Sequence, residues 1–67
     1  MDIHIGTAIK MELLRQERSV TWFANKICCS RTNVYKIFER DNIDVRLLYS
    51  ISRVLNHDFF ADISEEL

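Results

Sequence analysis

Between Lys26 and Arg40 the chain carries eight side chains able to hydrogen-bond a nucleic acid: Lys26, Ser30, Arg31, Thr32, Asn33, Tyr35, Lys36 and Arg40. Arg, Lys and Asn match base edges in a major groove, while hydroxyls and long cations also serve phosphates. Their spacing sorts them. Each residue advances about 100° around a helix axis. On a helix over about 31–39, Val34, Ile37 and Phe38 share one sector and Thr32, Lys36 and Glu39 lie opposite. Tyr35 and Arg40 fall beside that outer group, and Arg31 and Asn33 flank it near the helix start. Ser30 stands where a hydroxyl caps a helix, and a helix start also favours a phosphate. An ordinary amphipathic helix whose polar side meets only water has the same periodicity.

A reading helix needs a second helix to hold it. The preceding segment supplies one, with Phe23, Ala24 and Ile27 apolar. Counting Val20 as the first of twenty positions puts the small Ala24 fifth, where steeply crossing helices need backbone clearance. Cys28 is ninth, at the turn, and Val34 and Ile37 come fifteenth and eighteenth as a buried pair. This is the spacing of a helix-turn-helix.

The rest of the chain reads as further short helices. Residues 2–4 form a lead-in, and helix one runs from about Ile5 to Glu17, burying Ile5, Ile9 and Leu13 with Ala8 beside them. Met11 and Leu14 fall outside that stripe. Ser19 or Thr21 caps helix two, and Trp22 packs against helix one in preference to stacking on a ligand. After Arg40 comes a loop in which Ile43 enters the core and Asp44 caps helix four, Val45 to Leu55. Leu47, Leu48, Ile51, Val54 and Leu55 face inward there, and Arg46, Tyr49 and Arg53 outward. Asn56 sits where a left-handed residue ends a helix. Asp58 caps a last helix through about Ile63. Phe59 and Phe60 point about 100° apart. Either both close the bottom of the domain, or the second joins Ile63 and Leu67 in a two-fold contact.

Taken together, the segment 19–40, an Ile-Gly start at Ile5 and Gly6, and the stretch IDVRLLYSISRVLNHDFF resemble the Cro/CI-type, Xre-like helix-turn-helix family of bacterial and phage repressors. The RTNVYKIF run from Arg31 to Phe38 is similar to a branch of small bacterial regulators in that family. The resemblance covers nearly the whole chain and implies a lambda-repressor-like fold with helix three in the major groove. Two departures stand out. Cys28 replaces the family's usual turn glycine, where a left-handed conformation costs a non-glycine residue roughly 1–2 kcal/mol. Helix two starts Val-Thr-Trp where a Gln- or Glu-bearing start is common.

Composition sets outer bounds. Sixty-seven residues, 48% hydrophobic and 28% charged, with one Gly and no Pro, suit one compact helical domain and argue against disorder or a many-turned β fold. A chain this short buries only about 60% of its unfolded surface, so a partner would help. No apolar run reaches the roughly 20 residues of a membrane span, and no signal pattern opens the chain, so a cytoplasmic protein is expected. The net charge of −1 is unhelpful for DNA binding, but it is unevenly spread. Residues 1–40 carry seven basic and four acidic groups, a balance of +3, and residues 41–67 two and six, a balance of −4. The basic part contains the candidate reading helix.

Neither histidine stands near a nucleophile and acid at a catalytic spacing, and no glycine-rich phosphate loop occurs. Cys28 and Cys29 are adjacent, too close for ordinary disulfide geometry, and His4 and His57 lie at opposite ends. No enzyme activity, cofactor or metal is expected. The sequence therefore predicts an all-α bundle of five short helices, one domain over 1–67. Its expected function is sequence-specific binding of double-stranded DNA by a repressor, working as a homodimer through Phe59, Phe60, Ile63 and Leu67, or equally through Met11, Leu14 or Tyr49, with no membrane partner. The alternative is an antitoxin-like or phage-encoded interaction module that keeps the fold and binds protein.

Overall fold

A computed structural model describes residues 4–61, all of whose regular structure is helical. The order is α1 (Ile5–Arg15), α2 (Val20–Lys26), α3 (Arg31–Phe38) and α4 (Val45–Leu55), followed by a fifth helical segment at residues 59–61. The radius of gyration, 11.1 Å, is close to the roughly 11 Å of a single packed domain of this length.

Side chains cap every helix start, because the first backbone N–H groups of a helix have no partner within it. Ser19 Oγ accepts from the Trp22 N–H at 3.0 Å and Ser30 Oγ from the Asn33 N–H at 3.2 Å. Asp44 Oδ2 accepts from the N–H groups of Arg46 and Leu47, and Asp58 Oδ1 from that of Ala61 at 3.1 Å. Between the two caps the sequence offered for α2, the structure thus selects Ser19. His4 is more than a lead-in: its Nδ1 accepts from the Thr7 N–H at 3.1 Å and caps α1.

Three helices end alike. Glu17, Cys28 and Asn56 are all left-handed, with φ of 58°, 58° and 51°. In each case this residue and the next donate back into the last helical turn, as in Arg18 N–H to Leu13 O at 3.1 Å and Cys29 N–H to Ala24 O at 2.9 Å. Helix one accordingly stops at Arg15 instead of reaching Glu17, whose left-handed backbone cannot continue a right-handed helix. Likewise α3 stops at Phe38 with Glu39 as its cap residue, one short of the expected end. Helix α4 has the expected bounds, with Asn56 left-handed after it.

The core gathers Ile5, Ile9 and Leu13 from α1, Phe23 and Ala24 from α2, Val34 and Ile37 from α3, Leu48, Ile51 and Leu55 from α4, and Phe59. Helix α3 packs on both α1 and α2. Met11 and Leu14 stand out in solvent, each 61% exposed, whereas Glu12 is buried. Glu12 accepts hydrogen bonds from Arg15 and from Gln16 Nε2, and Gln16 Nε2 also donates to Leu55 O at 2.6 Å. His57 Nδ1 lies 3.6 Å from the same carboxylate. This polar cluster ties the end of α1 to the end of α4. Phe59 is fully buried in the core, so it cannot serve in the homodimer contact expected of it, and Phe60 is half-buried against the core, while Ile63 and Leu67 lie outside the described residues. Among the described residues no helix is long and apolar enough to cross a membrane.

Candidate nucleic-acid interface

The rotation of α3 about its own axis is fixed from within. Val34 is fully buried and Ile37 is 6% exposed, so the opposite side of the helix must face outward. Arg31, Thr32, Asn33 and Lys36 are all exposed there, and Tyr35 is 55% exposed with its ring edge-on to Phe38 at 6.3 Å. The angular sorting read from the sequence is therefore the sorting found. Ser30 sits at the helix start with its hydroxyl engaged by the Asn33 N–H, so its remaining lone pair and O–H are what it could offer a ligand.

Arg40 lies just past α3. Its side chain is exposed, while its carbonyl accepts from the Gly6 N–H at 2.9 Å, which anchors the chain leaving α3 to the first turn of α1. Asn33, Lys36 and Arg40 line one side of a groove of about 300 Å³. Ile27, Cys29, Ile37 and Leu47 line the rest of it. Burial pushes the Cys29 thiol above its ordinary pKa, and the neighbouring Cys28 adds to the effect.

Lys26 does not line that groove. Its ammonium lies 6.0 Å from the centre of the Trp22 ring, and the Arg18 guanidinium lies 4.6 Å from the same ring. An indole attracts cations through its π face. Trp22 itself is half-buried against the core. The sequence reading missed Arg18, although the spacing of Arg18, Trp22 and Lys26, four residues apart each time, carries the signal. It also missed Ile27, Cys29 and Leu47 as neighbours of the polar face.

Charge on this side is not neutralised by pairing. Among the described residues, Lys26, Arg31, Lys36 and Arg40 take part in no salt bridge, and Glu39 pairs with none of them. Among the described residues, the Glu12 carboxylate is paired, held by Arg15 at the far end of α1. No protein-family model, curated protein or solved structure matches this chain.

Proposed function

We propose that this chain is a sequence-specific DNA-binding regulator, a repressor of the Cro/CI type. In this reading α2 and α3 act as a helix-turn-helix and α3 docks in the major groove. The observation that carries the proposal is the outer face of α3. Its orientation is fixed by buried Val34 and Ile37, and its cations have no salt-bridge partner among the described residues. Thr32, Tyr35, Lys36, Arg31 and Asn33 meet base edges or nearby phosphates. Arg40 and Lys26 lie along the backbone, and Ser30 sits near a phosphate.

An interaction module that binds protein would be favoured if acidic neighbours neutralised this face. Among the described residues neither Glu39 nor Asp41, the acids on either side of Arg40, pairs with any of this face's cations, which supports the nucleic-acid reading. One such helix contacts only a few base pairs, at about 1–3 kcal/mol per good contact, too little to single out a site within a genome. The working unit is therefore a two-fold dimer through the C-terminal region, where Phe60 is already half-exposed and Ile63 and Leu67 follow. Its two reading helices face successive turns of an inverted repeat, about 34 Å apart.

Selection of duplexes from a random pool tests the proposal. Enrichment of an inverted-repeat sequence is expected, and no enrichment over bulk sequence rules out a specific reader. Sedimentation of the complex at saturating protein tests the dimer, which one chain per duplex would exclude.

A further inference from the structure

The groove between α3 and the first turn of α4 has a composition that base reading does not require. Ile37 is buried and Ile27, Cys29 and Leu47 are half-buried, so they form its floor. Asn33, Lys36 and Arg40 are exposed and stand on its rim. A thiol is neutral at ordinary pH and burial favours that form further at Cys29, so the floor carries no charge. Aliphatic surface left partly open to water favours whatever apolar group covers it. Two cations in no salt bridge among the described residues, beside a side-chain amide, favour an anion that can reach them from the same place.

We infer that this groove binds a small amphiphilic monoanion, a carboxylate on a short aliphatic body, with its head on Lys36 and Arg40 and its body on Ile27, Ile37 and Leu47. The charge argument selects the sign of the head and the floor selects the body. At about 300 Å³ the groove is at the small end of the roughly 300–1,000 Å³ range of ligand sites, which selects a short chain. Because Lys36 and Arg40 also belong to the proposed DNA-reading face, the bound anion and DNA exclude each other. The ligand is thus an inducer that acts by competition, without any change of fold. This regulatory half rests on the DNA-reading proposal, whereas the binding half does not.

Titration of the isotope-labelled full chain with sodium octanoate, followed by amide resonances, tests both halves. Saturable shifts are expected at residues 27, 29, 33, 36, 37, 40 and 47. Sodium acetate, which lacks the body, and 1-octanol, which lacks the charge, should bind about ten-fold more weakly or worse. The double neutralisation Lys36→Gln with Arg40→Gln, at exposed positions, should lower octanoate affinity about ten-fold while moving the thermal melt by no more than a few degrees. Leu47→Ala should weaken octanoate about five-fold and leave affinity for a selected duplex unchanged. Shifts centred on Met11 and Leu14, or equal binding of 1-octanol, would overturn the inference. So would groove resonances that move on dilution or on deletion of residues 62–67, since a segment of this chain would then be the occupant. Octanoate that binds the groove yet fails to displace a selected duplex overturns the regulatory half alone. If no duplex is selected at all, the DNA reading fails and the octanoate titration still decides the site.

Discussion

The Gly6 N–H, in the first turn of α1, donates to the Arg40 carbonyl at 2.9 Å, so the chain's single glycine sits directly on the end of α3. A Cβ at Gly6 would come closer than 3.0 Å to the carbonyl oxygens of both Ile37 and Phe38. The glycine thus serves close approach and not a turn, and it sets how near α1 lies to the candidate reading helix.

Gly6→Ala is expected to destabilise the fold by about 1–3 kcal/mol, because the atoms in the way are backbone and cannot step aside as a flexible side chain would. Loss of the hydrogen bond to Arg40 adds to it if α1 is pushed off. Urea denaturation with the slope held fixed reads the change. A loss below about 0.5 kcal/mol would mean that α1 and α3 separate without penalty.

Cys28→Gly is expected to stabilise the protein by about 1 kcal/mol, since the left-handed turn costs a non-glycine residue roughly 1–2 kcal/mol and glycine's greater freedom when unfolded offsets part of the gain. Glu17→Gly should behave similarly. Asn56→Gly should gain less, because asparagine visits that conformation more readily. Thermal melts of the three variants give the order, and Cys28→Ala, which keeps a Cβ, is the control expected to show no gain.

Glu12 makes stability fall in acid. The hydrogen bond from the Arg15 guanidinium is the largest cause that lowers its pKa from 4.5 to about 2, against the opposing effect of burial. A lowered folded-state pKa means stability that is fully present above pH 4.5 and is lost as the pH falls toward about 2. Urea midpoints measured between those limits should drop for the native protein and change less for Glu12→Gln. Parallel curves for the two would show that other carboxylates govern acid unfolding.

On DNA, Lys36→Ala is expected to cost about 1–3 kcal/mol and to relax preference at one or two positions, as removal of a base contact does. Arg40→Ala should weaken all sequences alike and flatten the salt dependence by about one unit. Fluorescence anisotropy at several salt concentrations separates the two. If Arg40→Ala alters preference with an unchanged salt slope, the two roles are reversed.

Much of the candidate site's geometry was legible because it depends on local rules. The period of Val34, Ile37 and Phe38 fixed the polar side of α3, and Asp44 and Asn56 marked both ends of α4. Glu12 was half-legible: it follows Ala8 by four residues, at the edge of the apolar stripe, with Arg15 and Gln16 one turn further on to receive it. Its partner across the molecule, the Leu55 carbonyl reached through Gln16, was not.

By itself, then, the sequence determined which stretches are helical and which side of each is apolar, since these follow from neighbours within about four residues, whereas the structure was needed to show His4 capping α1 and to choose Ser19 for α2. Tertiary structure alone decided that Gly6 meets Arg40, that Cys28 turns left-handed without a glycine, and that Ile27, Cys29 and Leu47 floor a groove beside the polar face of α3. These last features join residues far apart in the chain or require a backbone strain that only packing can hold. Helical period says which face turns inward but not what lies against it.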